Sequence, residues 1–238
     1  MTSAPPTPRA VAREGLTVGV AVGFYAVSFG AVAVAAGLSV LQTCAMSLLM
    51  FTGASQFAFV GVVASGGTPV SATVTATLLG ARNGLYGLRL RPLLGLTGWR
   101  RVAAAHLVID ESTAMSVARP DRPTVRAGFL ATGLGVFVSW NLFTLVGALA
   151  GNALGDPRDF GLDAAIGAAF LAMLWPRLHG TVHRVTALVA VAVALGLVPL
   201  AAPGVPVLLA GLVAVAVGAV ARPGSVEPPG DEPVEGQA

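Results

Sequence analysis

A long stretch without charge is the feature that most limits what this chain can fold into. No Asp, Glu, Lys or Arg occurs from Gly15 to Ala81. A helix that crosses bilayer hydrocarbon needs about 20 apolar residues, so this stretch has room for about three crossings. Only 11% of all residues are charged, against roughly 25% in a soluble domain. We therefore expect an all-α polytopic membrane protein and not a soluble enzyme.

Apolar segments of helix length recur along the rest of the chain. Uncharged runs extend from Ala127 to Gly155 and from Val185 to Ala221. The predicted spans, about six to seven in number, are 16–37, 41–63, 70–88, 128–150, 160–175, 184–200 and 205–221. They form one predicted transmembrane domain, 15–221, and the first is expected to be an uncleaved signal anchor. A cytoplasmic segment, 1–14, would precede this domain, and a disordered cytoplasmic tail, 222–238, would follow it.

Arginine placement predicts the orientation of the spans and reveals a mismatch. One loop is rich in arginine. It contains Arg89, Arg91, Arg100, Arg101, Arg119, Arg122 and Arg126. The positive-inside rule places this loop in the cytoplasm, together with Arg9 and Arg13 near the start. Three crossings between the two groups would put them on opposite sides of the membrane. One early segment must therefore be broken or re-entrant.

The segment 41–63 is the best candidate for that break. Its centre, Phe51–Phe57, reads Phe-Thr-Gly-Ala-Ser-Gln-Phe, where apolar residues would cost less than the buried polar ones. Non-helical backbone at membrane depth survives only against protein or a water-filled cavity. Ser55 and Gln56 therefore either bind a ligand or hydrogen-bond neighbouring helices, with Gly53 allowing close approach.

A single arginine also lies inside an apolar run. Arg82, followed by Asn83, precedes Leu88 at the end of the third predicted span, and at a helix centre Arg costs roughly 2.5–3.5 kcal/mol on insertion scales. Its guanidinium would pair with an amino-acid carboxylate or an internal acid, or else extend to the cytoplasmic interface.

An acidic cluster lies in the arginine-rich loop. The i, i+4 spacing of His106 and Asp110 predicts that they share one helix face, and Glu111 follows. The functional interpretation is proton coupling or gating, and the alternative is a solvated amphipathic helix. We expect no metal site, because a further ligand is not evident nearby, and no cofactor, because no phosphate-binding or hydrolytic motif occurs.

A weak internal echo suggests a repeat. Phe29-Gly30-Ala31 followed by Gly37 is similar to Val146-Gly147-Ala148 followed by Gly151. Paired glycine-interrupted segments in two halves of a chain are typical of transporters. Low-complexity membrane sequence also produces such echoes by chance, so both interpretations stay open.

Three blocks of this sequence resemble the AzlC/BrnF family of branched-chain amino acid exporters. They are Phe29-Gly30, the stretch Phe51–Phe57 and the stretch Ala81–Gly87. The resemblance implies the large subunit of an exporter (LIV-E) in the bacterial inner membrane, with a small AzlD/BrnE-like subunit as partner. It also implies leucine, isoleucine, valine and sometimes methionine as substrates, and proton-motive force as the energy source. The family usually has Asn-x-Arg-His where this chain has Gly80–Asn83, and Thr where Ile109 stands, so substrate or coupling is expected to differ.

The sequence thus predicts a secondary exporter without a nucleic-acid partner. The candidate substrate-binding residues are Gly53, Ser55, Gln56, Arg82 and Asn83, and the candidate proton-coupling or gating residues are His106, Asp110 and Glu111. One alternative is an intramembrane metal-dependent enzyme that uses the second group. Another is a non-transporting scaffold for the small subunit, which is favoured if Ser55, Gln56, Arg82 and Asp110 face lipid or solvent.

Overall fold

The computed structural model describes residues 6–154, 171, 175, 178, 180–201 and 205–220. These residues are almost entirely helical and include no β-strand, which confirms the predicted all-α class. The chain divides into two compact units, Met1–Gly167 and Ala168–Ala238. Most of the predicted span 160–175 and the whole of the predicted tail 222–238 lie outside the described residues.

Helices of very different length make up the first unit. They are α1 (Pro8–Phe24), α2 (Ala26–Ala35), α3 (Val40–Leu49), α4 (Ala54–Ala64), α5 (Pro69–Leu94), α6 (Gly98–Ala105), α7 (Asp110–Val117) and α8 (Arg122–Leu154). Only Tyr25 separates α1 from α2, and the combined stretch Pro8–Ala35 is long and apolar enough to cross a bilayer, as is Arg122–Ala153. The predictions of apolar helices over 16–37 and 128–150 are therefore confirmed.

Local sequence explains where several of these helices begin and end. Ser39 Oγ accepts a hydrogen bond from Gln42 N–H, and Gln42 Oε1 accepts one from Ser39 N–H, so α3 starts with a reciprocal capping box. Thr68 caps α5 and is followed by proline at the first helical position, where the missing N–H costs nothing. α5 is capped at its C-terminus by Gly95, whose φ of 56° lies in the left-handed region that glycine tolerates.

Small residues four apart hold α1 directly against α8. A Cβ at Gly19 would lie 2.8 Å from the carbonyl carbon of Gly135, and Ser139 Oγ donates to the backbone oxygen of Gly19 at 2.7 Å. The contacts advance in the same direction along both helices, so the helices are parallel. We call this contact the glycine seam, which consists of Gly15, Gly19, Gly23 and Gly30 on α1–α2 and of Thr132, Gly135, Ser139 and Gly147 on α8.

Parallel packing places the starts of α1 and α8 at one end of the unit. Arg119 Nη2 bonds Glu14 Oε2 there at 2.7 Å. Arg126 Nε donates to the backbone oxygen of Leu94 at 2.8 Å, so α5 ends at the same place and runs opposite to α8. We call it the arginine end, because Arg119, Arg122 and Arg126 meet there.

α3 and α4 form a hairpin that enters the unit from the end opposite the arginine end. α3 runs antiparallel to α8: Ser47 Oγ donates to Thr144 Oγ1 at 3.2 Å, and the ring of Phe51 packs on Phe137 at 5.1 Å between centroids. The backbone reverses through Gly53, whose φ is 59°, and α4 returns beside α5. This first hairpin shows that the predicted segment 41–63 is broken into two helices.

α6 and α7 form a second hairpin, which enters from the arginine end. A Cβ at Gly133 would meet Leu107, and one at Gly128 would meet Met115, so α7 runs antiparallel to α8 back toward that end. Seven residues of the hairpin are buried: Ala104, Leu107, Val108, Ile109, Ser112, Thr113 and Ser116. This part of the arginine-rich stretch is therefore not the simple connecting loop that the sequence predicted.

The described part of the second unit is a helical pair. α9 (Thr181–Leu197) and α10 (Val205–Val220) pack against each other, as expected for the predicted spans 184–200 and 205–221. Arg184 Nε donates to the backbone oxygen of Leu178 at 3.0 Å near the start of α9.

Candidate functional site

The turns of the two hairpins meet midway along α8. His106, in the second turn, has its Nε2 2.9 Å from the backbone oxygen of Leu48 at the end of α3. Its ring packs against Phe51 in the first turn and Phe137 of α8, with centroid distances of 5.9 and 5.5 Å. Non-helical backbone from both ends of the unit therefore converges at one level, which we call the junction.

The prediction that His106 and Asp110 share one helix face is wrong. α6 ends at Ala105 and α7 begins at Asp110, and Ile109 between them is extended, with φ −131° and ψ 173°. Ser112 explains the break, because its Oγ accepts from Ile109 N–H at 3.1 Å and donates to the backbone oxygen of Leu107 at 2.6 Å. The serine satisfies turn backbone groups and starts a new helix in place of a continuous one.

An ion pair links α5 to the first residue of α7. Arg82 Nη2 lies 2.9 Å from Asp110 Oδ2, and the two side chains are 21% and 19% exposed. Arg82 Nε is buried without a hydrogen-bond partner, so part of the guanidinium is unused. Arg82 thus pairs with an internal acid, which is one of the alternatives that the sequence left open. Glu111 follows Asp110 in the first turn of α7 and is half-buried.

The predicted polar residues of the first hairpin are fully enclosed. Ser55 and Gln56 are 1% and 0% exposed. Gln56 Nε2 donates to the backbone oxygen of Met46 at 3.2 Å, whereas Gln56 Oε1 and Ser55 Oγ are buried with no hydrogen-bond partner. Ser55 Oγ lies 3.1 Å from the position that a Cβ on Gly80 of α5 would occupy. One hydrogen bond therefore serves helix packing, and two buried polar atoms are left without a partner.

Further unpaired polar atoms surround the first turn. Asn83 Oδ1, Thr52 Oγ1 and Trp140 Nε1 are buried without partners. The Trp140 ring lies near Gly53, 3.8 Å from the position of a Cβ there. Thr52 and Trp140 were not among the predicted site residues, and their only sequence signal is a polar group inside an uncharged run. Unsatisfied buried groups cost about 1–3 kcal/mol each, so a cluster of them is typical of a functional site.

An apolar cavity of about 450 Å³ lies between α5 and α6. Its lining begins two residues from each member of the ion pair, at Gly84 and at Val108. Neither Ser55 nor Gln56 lines it. An apolar wall with a few charged groups nearby is the usual make-up of a small-molecule site. The other lining residues are Gly87, Leu88, Leu90, Arg91, Leu94, Leu96, Arg101, Val102, Ala104 and Ala105.

Metal-binding side chains do not gather in the part of the chain that the structure describes. It contains no group of three or more His, Cys, Asp or Glu residues that could hold a metal ion. His106, Asp110 and Glu111, which the enzyme alternative would use, therefore form no such group among the described residues.

A family model described as AzlC protein matches residues 17–154. This range is more than half of the chain and contains both hairpins and the junction. The chain belongs to the AzlC family. Its family resemblance, expected from the stretches Phe51–Phe57 and Ala81–Gly87, is thus confirmed.

Curated relatives of this AzlC chain are membrane proteins. An uncharacterized membrane protein of Archaeoglobus fulgidus is 32% identical over 157 residues, which cover 65% of this chain and 68% of that protein. The inner membrane protein YgaZ of Escherichia coli is 28% identical over 178 residues, which cover 72% of this chain and 71% of YgaZ. No solved structure matches. These findings place the chain among membrane proteins.

Proposed function

We propose that this chain is the large subunit of a secondary transporter that exports branched-chain amino acids. The observation that carries the proposal is the Arg82–Asp110 ion pair, which lies close in sequence to the lining of an apolar cavity and is accompanied by buried polar atoms without partners. Charges and unpaired polar groups at this depth are costly, so their presence is best explained by a polar ligand that passes them. Leucine, isoleucine, valine and methionine combine two charges with an apolar side chain, which matches both features.

Each candidate residue has a role in this proposal. Ser55 and Gln56 lie in the first turn of α4, which carries no acidic residue, so the positive end of the helix dipole faces the junction uncompensated. Gly53 provides the turn that aims this helix end, as broken helices do in other transporters. Arg82 and Asn83 supply charge and hydrogen-bonding capacity on α5. His106, Asp110 and Glu111 couple transport to protons or gate the second hairpin.

The membrane arrangement follows from the same geometry. The arginine end would face the cytoplasm of a bacterial inner membrane, and α1–α2, α5 and α8 would each cross the bilayer. α5 has 26 residues, about 39 Å at 1.5 Å per residue, which is enough for one crossing. The junction would then lie near the bilayer midplane, where secondary transporters bind substrate.

A small AzlD-like membrane subunit is the proposed partner. The family resemblance supports this assignment. The scaffold alternative requires the polar residues to face lipid or solvent, whereas Ser55 and Gln56 are enclosed and Arg82 is paired with Asp110. The geometry therefore favours a transporter over a scaffold.

Flux in membrane vesicles tests the proposal. Inside-out vesicles that contain this chain, the small subunit or both are supplied with labelled leucine, with and without an imposed pH gradient. We expect uptake into these vesicles, which corresponds to export from the cell, only when both subunits are present, and faster when the lumen is acidic. A Leu85→Ala variant, changed at an exposed apolar position of α5, is the matched control and should transport normally. If no branched-chain amino acid or methionine moves under any condition, the proposed function is wrong.

A further inference from the structure

We propose that the Arg82–Asp110 ion pair is itself the receptor for the charged backbone of the transported amino acid. The pair opens and the zwitterion inserts, with its carboxylate on Arg82 and its ammonium on Asp110. This inference rests on the proposed function and deepens it, because it assigns the atoms that recognise the substrate. It also changes the role of Asp110 from proton coupling alone to direct contact with substrate.

Charge balance makes a zwitterion the matching ligand. Each member of the pair is only one-fifth exposed, so an uncompensated charge at either position would be poorly solvated. An amino acid replaces each lost partner with a group of the same sign, and the site stays neutral. A carboxylate without an amine, or an amine without a carboxylate, leaves one protein charge unpaired.

The guanidinium has an unused donor for the substrate carboxylate. Arg82 bonds Asp110 through Nη2, while its Nε is buried and has no hydrogen-bond partner. Nε and one terminal nitrogen together form the edge that binds carboxylates through two parallel hydrogen bonds. Asn83 Oδ1 is also buried without a partner and can accept from the ammonium group.

The backbone around Asp110 allows the pair to open. Asp110 is the first residue of α7 and follows a non-helical turn, whereas Arg82 lies in the middle of α5. A shift of the second turn would move the carboxylate without disturbing α5, and His106 would carry that shift to the first hairpin through Leu48.

The cavity supplies the place for an aliphatic side chain. Its lining includes Gly84, two residues after Arg82, and Val108, two residues before Asp110, and the lining residues that directly follow Gly84 and directly precede Val108 are apolar. A substrate held by its backbone at the ion pair can therefore extend its side chain into this space. A carboxylate, an ammonium group and an apolar group in this arrangement describe an α-amino acid with an aliphatic side chain.

Binding of leucine and its single-charge analogues tests the inference. The purified full-length protein, co-expressed with its small subunit, is titrated with leucine, 4-methylpentanoate, which lacks the amine, and 3-methylbutylamine, which lacks the carboxylate. For the unaltered protein we expect leucine to bind at least about 100-fold more tightly than either analogue, since each analogue leaves a buried charge unpaired.

Single substitutions at the ion pair should shift the preference from leucine toward one of the two analogues. Asp110→Asn leaves Arg82 without a counter-charge, so leucine binding should weaken at least about tenfold and 4-methylpentanoate binding should strengthen by a similar factor. Arg82→Gln leaves Asp110 without a counter-charge, so leucine binding should again weaken and 3-methylbutylamine binding should strengthen. Gained binding cannot come from misfolding, so these variants stay informative even if they are less stable. Glu14→Gln is the control, because it breaks a carboxylate–arginine pair of similar length at the arginine end.

Two results would overturn the inference. One is an Asp110→Asn protein that binds and exports leucine like the unaltered protein. The other is the absence of any gain for the single-charge analogues in either variant while the unaltered protein binds leucine. In both cases leucine is still recognised and the proposed function stands. An unaltered complex that neither binds nor moves any amino acid removes the proposed function and this inference together.

Discussion

Gln56 is fully buried in the first unit although one of its two polar atoms has no hydrogen-bond partner, which lowers stability. Its Nε2 is bonded to Met46, but its Oε1 is buried with no partner. Gln56→Leu removes a hydrogen bond and an unsatisfied acceptor together, and their contributions of about 1 kcal/mol nearly cancel. We expect the free energy of unfolding in detergent to change little, while leucine export, measured as uptake into inside-out vesicles, falls at least about tenfold because a substrate contact is lost.

Ser47 provides the control for Gln56. It is equally buried, but its hydroxyl is satisfied by Thr144 across the α3–α8 contact. Ser47→Ala should lower the free energy of unfolding by about 0.5–1.5 kcal/mol and leave efflux intact. Normal efflux by Gln56→Leu would show that Gln56 only supports packing.

Gly87 tests whether the cavity holds the substrate side chain. It lines the cavity, and a Cβ added there meets nothing within 4 Å. Gly87→Val should therefore fill part of the cavity without a clash and exclude large side chains. We expect the ratio of leucine to alanine transport, measured by competition, to fall about 10-fold or more, since one methylene in a pocket is worth about 1–3 kcal/mol.

A glycine elsewhere controls for the change in helix propensity. Gly196 of α9 also has open space at its Cβ position and does not line the cavity. Gly196→Val should leave the leucine to alanine ratio unchanged. An unaltered ratio in Gly87→Val would mean that the side chain binds elsewhere.

Among the elements, the parallel pair of α1 and α8 depends most on residue size. A Cβ at Gly19 would lie 2.8 Å from backbone atoms of Gly135, which cannot move aside as a side chain can. We expect Gly19→Val to separate the helices and lower the free energy of unfolding by about 1–3 kcal/mol or more. The midpoint of thermal unfolding in detergent measures this effect. Gly211→Val on α10, where a Cβ meets nothing within 4 Å, should cause no comparable loss.

The two hairpins differ in how far the sequence could predict them. The first interrupts a charge-free run with the stretch Gly53–Gln56, so a break was evident. The second consists of helices of 8 residues each, which carry Arg100, Arg101 and Asp110 and resemble a solvated loop in any hydropathy window. Asp110 of this hairpin is paired with Arg82, which is distant in the sequence, and no local pattern reveals such a pairing.

Side-chain periodicity also failed at one position for a physical reason. The i, i+4 spacing of His106 and Asp110 assumes a continuous helix, but Ser112 bonds the turn backbone and ends that continuity. The types of residue at the candidate site were predictable from polar groups in apolar runs. Which of them meet was not, because the answer depends on hairpins that approach from opposite ends.

At the scale of the first unit, the chain alternates long helices with hairpins. α1–α2, the first hairpin, α5, the second hairpin and α8 follow in that order, and the hairpins enter from opposite ends. The two similar segments around Gly30 and Gly147 contact each other directly, because a Cβ at Gly30 would lie 3.0 Å from the carbonyl carbon of Gly147. Placed in a membrane, two hairpins that meet at one level would allow a substrate site to be reached from either side.

This alternation makes a topological prediction that differs from one based on continuous spans. In a background where Cys44, the one cysteine, is replaced by Ala, single cysteines are placed at Ser39 and Ser65, which flank the first hairpin, and at Thr97 and Ala118, which flank the second. These four positions are exposed. A re-entrant hairpin returns to the side from which it came, so a membrane-impermeant maleimide should label both members of a pair from the same side.

The two pairs should also differ from each other. Thr97 and Ala118 lie toward the arginine end and should react in inside-out vesicles, which expose the cytoplasmic face. Ser39 and Ser65 should react in intact cells. If Ser39 and Ser65 are labelled from opposite sides, the first hairpin crosses the membrane, and a junction formed by two opposed half-crossings is ruled out. If all four positions react from one side, α5 does not cross the membrane. Arg82 would then not lie at bilayer depth, and the separated charges of the ion pair would not need a substrate to compensate them.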